Sequence, residues 1–228
     1  MSSRLSILRT PKKNDPEFRC ILVGECAQLY RLVLVALRGE DWKDPYRPTV
    51  TDAFNIKMAT TDGSLVVLVL YECEETCNQA NEEYSPLRQH WYTNQDAYLV
   101  CFSKKHRASF ERVEHYCAEI RSVRKDAIIY LLGVSWADHI VWDEYGQNGW
   151  EYSCSDLRQV EPSVSEAEAQ RLCAQLQLAR YFECCEKLGD EASIPTLPEK
   201  LSEALASIIS NTLNQRSASR AQKKCVIS

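Results

Sequence analysis

The last four residues, Cys225-Val226-Ile227-Ser228, set a thiol before two aliphatic residues and a small polar end. Protein prenyltransferases read that order, and Ser in the last place favours a farnesyl group on Cys225. Four cations, Arg216, Arg220, Lys223 and Lys224, stand just upstream in a stretch of Ser, Ala, Gln and Asn with nothing to offer a core. One lipid chain holds a protein only marginally, and each basic residue near an anionic leaflet adds about 1 kcal/mol, so the cluster is a modest second signal. The stretch reads as a flexible tether, and the pattern implies a working surface at a membrane. The bland alternative is an accidental terminus on a frayed tail.

Other reactive groups carry less. Cys73-x-x-x-Cys77 lies among Glu72, Glu74 and Glu75, but no second Cys or His pair completes a metal set, so a solvated acidic loop is the better reading. The four histidines, His90, His106, His115 and His139, lack metal-ligand spacing and read as surface or satisfied core residues. Several of the eleven cysteines (Cys20, Cys101, Cys117, Cys173) fall inside apolar runs with no signal sequence ahead of them, and read as buried thiols of a cytosolic chain. No apolar run approaches the roughly 20 residues needed to span a bilayer. A net charge of −5 argues against nucleic acid as a partner, the basic tail excepted.

These groups must be positioned by elements that the periodicity makes legible. Phe18 to Gly24 is an apolar strand ending in Gly, and Ala27 to Arg38 follows at helical spacing. Asp52 to Met58 alternates as a half-buried edge strand, Thr61-Asp-Gly63 is a turn, and Leu65 to Leu70 is a buried strand, which together predict a hairpin. Ala97 to Phe102 and Ala127 to Leu132 are further strands around a helix from about Ala108 to Val123. Ser165 to Leu178 is a helix opening on a Ser-x-x-Glu cap at Ser165 and Glu168, Arg180 to Cys184 a short strand, and Leu197 to Leu213 a closing helix. Strands alternating with helices predict an α/β fold: a six-stranded, mostly parallel sheet with one antiparallel edge strand, helices on both faces, and ligands at the carboxyl ends of the strands.

With these elements in order, the chain from residue 18 onward resembles the Rho family of small GTPases. Tyr46-Arg-Pro-Thr-Val50 is similar to that family's first switch and effector segment, Leu87-Arg88 with Tyr92 to the end of its second switch, and Arg180-Tyr-Phe-Glu-Cys184 to the strand approaching the guanine base. The domain is expected over 18–213, with a Rho-type insert near 139–161, a flexible extension at 1–17 and a basic prenylated tail at 214–228. The resemblance implies an effector face of Tyr46, Pro48, Thr49, Val50 and Asp52. It also implies nucleotide contacts at Gly24, Ala27, Tyr30, Arg31, Trp42, Ser135, Asp138 and Cys185, and magnesium contacts at Thr49 and Glu72.

The chemistry departs from the family's pattern. A phosphate loop G-x-x-x-x-G-K-[ST] uses glycines for close backbone approach, Lys for β- and γ-phosphate charge, and a hydroxyl for magnesium. Here Leu29 replaces the second Gly, Tyr30 stands at the Lys and Arg31 at the hydroxyl. A lost charge-assisted contact is worth about 1.5 to 3 kcal/mol; Arg31 is itself a candidate to neutralise phosphate directly, against which a cation in the first helical turn opposes the helix dipole and repels magnesium. In place of D-x-x-G-Q, the third strand ends in Tyr71-Glu72-Cys-Glu-Glu75; Glu72 or Cys77 takes the Asp position, and Asn81 lies nearest the catalytic Gln. Base recognition keeps Ser135 and Asp138 but has Trp136 for Lys, while Cys184-Cys185-Glu186 replaces Cys-Ser-Ala and Trp42 sits where an aromatic flanks the base.

Two readings follow. One is a switch that binds GTP or GDP with magnesium and cycles. The other is a farnesylated scaffold with weak or lost hydrolysis, held at the cytoplasmic face of the plasma membrane or endomembranes with a cytosolic pool. Either engages effector proteins of cytoskeletal or polarity signalling, and a carrier that masks the lipid.

Overall fold

The computed structural model describes residues 16–24, 51–73, 85–104, 106–135, 163–185 and 196–226. Six strands, β1 (Glu17–Val23), β2 (Thr51–Ala59), β3 (Leu65–Cys73), β4 (Ala97–Ser103), β5 (Ile129–Ser135) and β6 (Arg180–Cys185), form one sheet in the order β2-β3-β1-β4-β5-β6. Only β2 runs antiparallel, from Thr51 opposite Cys73 to Ala59 opposite Leu65, as the hairpin pattern predicts. Its turn is built for the job: Asp62 accepts from the Thr60 hydroxyl and, at 3.0 Å, from the Ser64 N–H, and Gly63 takes φ 84°, a region open to glycine at no steric cost.

Alternation along the strands sends side chains to two apolar layers. Cys20 and Leu22 of β1, Leu99 and Cys101 of β4, and Tyr130 and Leu132 of β5 face one layer; Ile21, Val23, Tyr98, Val100, Ile129 and Leu131 face the other. The first is covered by a 31-residue helix, α5 (Thr196–Val226), which buries Leu201, Leu205, Ile208 and Ile209. Its deeply buried hydroxyl Thr212 is satisfied at 3.0 Å by Tyr130 Oη. The second layer receives Tyr92 from α1 (Ser85–Tyr92), Phe110 from α2 (Arg107–Glu111), Tyr116 and Ile120 from α3 (Val113–Val123), and Ala169 and Cys173 from α4 (Glu166–Gln175). Cys20, Cys101, Cys117 and Cys173 are buried thiols, as their apolar settings predict. Burial pushes Cys20 and Cys117 up to about 12.

Strand β3 runs to Cys73 rather than Leu70 and α4 ends at Gln175 rather than Leu178, and three larger differences have a clear cause. The helix expected over Ala108 to Val123 is two, α2 and α3, with a turn at Arg112 that seats Phe110 against Phe102 (4.9 Å between ring centres) while Val113 stays buried. Strand β5 starts at Ile129 rather than Ala127 and runs on through Gly133, because β4 and β6 pair with it on both sides. Helix α5 continues to Val226, through the stretch expected to be a flexible tether. Residues 213 to 226 hold no Gly or Pro, and extending an existing helix avoids the cost of nucleation. The expected helix from Ala27, residues 1–15 and the insert at 139–161 lie outside the described residues.

The capping box of α4 forms as its spacing predicts: Glu168 N–H donates to Ser165 Oγ (3.3 Å) and Ser165 N–H to Glu168 Oε2 (3.0 Å), while Arg107 reaches Glu168 Oε1 at 3.0 Å. The Ser165 backbone and hydroxyl, then Arg107, hold the Glu168 carboxyl down from 4.5 to about 2. A depressed carboxylate stabilises the fold fully above its unfolded value and loses that contribution as pH falls towards its folded value. Urea midpoints measured from pH 4.5 down towards 2 should therefore fall more gently for Glu168→Gln than for the parent; identical slopes would remove Glu168 from the acid response.

Candidate functional site

All six strands present an end to the same edge of the sheet. The parallel strands β1, β3, β4, β5 and β6 all terminate there, and β2, running the other way, begins there at Thr51. The described sequence candidates collect along that edge. Buried Gly24 follows β1; Glu72 of β3 lies in register with Leu22 of β1 and Asp52 of β2; Ser135 and Cys185 are partners at the ends of β5 and β6. Between Glu72 and Cys77 as the Asp counterpart, Glu72 is the one within β3, and Cys77 is outside the described residues. Ala27, Tyr30, Arg31, Trp42, Tyr46, Pro48, Thr49, Val50, Asn81 and Asp138 also lie outside them. Cys225 falls in the last turn of α5, on a different element from the rest.

The base end of the edge is held by groups that sequence reasoning passed over. Lys104, directly after β4, donates its N–H to Val134 O of β5 (2.8 Å), and its ammonium reaches Glu183 Oε1 of β6 at 2.7 Å. The other Glu183 oxygen accepts from Tyr181 Oη at 2.8 Å. The three residues thus bridge β4 to β6 across β5, over Gly133. A Cβ on Gly133 would lie 2.6 Å from Tyr181 Oη and 2.9 Å from Phe102 Cζ, so only glycine allows that cover. Two signals were present in the sequence: a lysine closing an otherwise apolar strand, and Tyr181 with Glu183 at the two-residue spacing of one strand face. Below the bridge, Ser109 Oγ accepts from Ser103 N–H (3.0 Å) and donates to His106 O (2.6 Å), fixing the turn out of β4.

A sequence model of the Ras family matches residues 19–193. The chain belongs to the Ras family. Among its relatives are the Rho-related GTP-binding protein RhoV of Rattus norvegicus, 29% identical over 174 residues, and the GTP-binding protein RHO4 of Saccharomyces cerevisiae, 27% identical over 206 residues. The matched stretches cover 73% and 90% of this chain and 65% and 62% of those relatives, so this Ras-family chain spans just under two thirds of their length. The GTP-binding protein YPT53 of Saccharomyces cerevisiae is 26% identical over 186 residues, 80% of this chain and 76% of that protein. The Rho-type resemblance and the expected sheet are both borne out.

The Ras family in general binds GTP or GDP with Mg2+, and the residues of this member fit that ligand unevenly. The carboxyl edge and the ordered end of β5 suit a base. On the phosphate side the family's motif falls on Tyr30 and Arg31, where an ammonium and a hydroxyl are expected, and both lie outside the described residues. Lys104 is already neutralised by Glu183 and Arg107 by Glu168, so neither is spare for a phosphate.

Gly133→Ala should cost about 1 to 3 kcal/mol by overpacking beneath Tyr181, read from urea unfolding. Adding Tyr181→Phe, which removes the nearest atom, should recover part of the loss. An alanine variant as stable as the parent would show that the close cover over Gly133 is not maintained.

Proposed function

We propose that this chain acts in Rho-type signalling as a lipid-anchored scaffold that offers the segment from Tyr46 to Asp52 to effector proteins, with GTP hydrolysis weak or lost. The observation that carries this reading is the phosphate side of the site. Tyr30 and Arg31 stand where charge neutralisation and magnesium binding need a lysine and a hydroxyl, and the cations Lys104 and Arg107 are committed elsewhere. Without a γ-phosphate contact a switch loop has nothing to reorder it, so output would depend on abundance and attachment rather than on a nucleotide cycle. Strand β2, which continues from the effector segment, stands at the end of the strand order among the described residues, a position from which sheets commonly receive an extended partner segment.

A second reading, a nucleotide-dependent switch, is favoured by one feature. Ser135 ends β5 beside Cys185, where the family recognises the base, and Asp138 follows three residues on. Equilibrium binding of a fluorescent guanine nucleotide to the full chain, with and without magnesium, separates the two. The scaffold predicts no saturable binding at micromolar protein. Tight binding that Asp138→Ala abolishes would establish the switch instead.

Attachment is proposed at Cys225, through a farnesyl group and the basic tail, to the cytoplasmic face of the plasma membrane or endomembranes, with a carrier masking the lipid in a cytosolic pool. In cells, Cys225→Ser should move the protein from the membrane fraction to the soluble one and abolish labelling by a farnesyl analogue. Unchanged membrane recovery would sink the anchor.

A further inference from the structure

Arg216, first of the four tail cations, is tied into the fold. Its guanidinium Nη1 pairs with Asp96 Oδ1, and its Nη2 donates to the Asp96 carbonyl at 3.4 Å. Asp96 is itself fixed at the amino edge of the sheet: its Oδ2 accepts from Arg19 N–H of β1 at 2.8 Å, and its own N–H donates to Arg19 O at 2.8 Å. Nearby, Arg124 donates to Thr93 O at 2.7 Å and pairs with Asp126 at 3.3 Å; Asp126 is lowered chiefly by Arg124 and, to a lesser degree, by Arg216. Around Asp96 the amino edge therefore pairs each of these two carboxylates with a guanidinium group. Just before this tie, helix α5 loses its grip on the core. Among the residues whose burial is described, Thr212 is the last fully buried one of α5 and Leu213 is 40% exposed, and Arg216 ties the turn that follows to the domain.

Helical spacing adds a geometric conflict. At about 100° per residue, Arg216, Arg220, Lys223 and Lys224 fall within one arc of roughly 100°, whereas Cys225, nine positions after Arg216, falls on about the opposite side. On an ideal helix those four positions and position 225 do not share one face, so engaging a single plane with both favours loosening of the turns after Leu213.

We propose that the Asp96–Arg216 pair is a latch that holds the tail helix on the domain, and that an anionic lipid surface competes with Asp96 for the tail. This rests on the membrane attachment proposed above and adds its regulation. The tail is available in two states, docked through Arg216 or loosened with all four cations and Cys225 facing one surface. Anionic headgroups shift it to the second because only there do they gain Arg216.

The test is amide hydrogen exchange across residues 213–226 of the full chain, paired with sedimentation onto phosphatidylcholine vesicles with and without phosphatidylserine. Asp96→Asn keeps an acceptor for Arg19 N–H but removes the charge, and should give several-fold faster tail exchange and several-fold tighter binding to the phosphatidylserine vesicles alone. Arg216→Lys keeps the cation but not the two-point contact, and should do the same if the asparagine variant fails to fold. Arg216→Gln should speed exchange without tightening binding, since it also removes a lipid contact. Tail exchange unchanged in all three variants would overturn the latch. Faster exchange with unchanged phosphatidylserine binding would overturn the competition. Absence of binding by parent and variants alike would overturn the competition together with the membrane reading, while the exchange data would still judge the tie itself.

Discussion

Strands β1 and β4 have no side left for water, and the rest of the architecture answers to that constraint. Cys20 and Leu22 must be covered on one face, Ile21 and Val23 on the other, all at 2% exposure or less. A parallel strand buried on both sides needs crossovers that return over the sheet, which is why helices lie on each face and why the parallel strands end at one edge. The functional edge is thus a by-product of burial: β1, β3, β4, β5 and β6 deliver their last residues side by side because their middles had to be covered alike.

What could be read from sequence was local. The Thr61-Asp-Gly turn between Asp52–Met58 and Leu65–Leu70 sets a hairpin within a few residues, and Ser165 with Glu168 announces a helix start at a separation of three. Both are realised. The family motifs likewise sit in short windows at strand ends, so their order along the chain foretold the sheet. The ties that set geometry between elements were not legible. Arg216 and Asp96 are 120 positions apart, and nothing near Arg216 distinguishes it from the cations that follow it. The end of α5 was misread for a physical reason: composition marked the tail as unable to enter a core, but a helix already anchored by Leu201 to Thr212 can propagate without one.

The site is uneven in the same way. Around the base end, Lys104, Tyr181 and Glu183 satisfy one another, so the polar groups there stabilise strand ends rather than wait for a ligand. Each commitment of a cation to a carboxylate inside the protein withdraws it from phosphate chemistry. The sheet, helices and edge of this Ras-family chain depend on apolar burial and on these internal pairs.

The buried thiols have a use that follows from their setting. A thiol at about 12, as at Cys20 and Cys117, keeps only about one part in 10⁵ as thiolate at neutral pH, and the sheet and helices bar any reagent from reaching it. Cys20 in β1, Cys101 in β4 and Cys117 in α3 sample both apolar layers. Their alkylation would require the layers to part, so each sulfur records the opening of the element that bears it, and the chain carries its own chemical clock of how often its core comes undone.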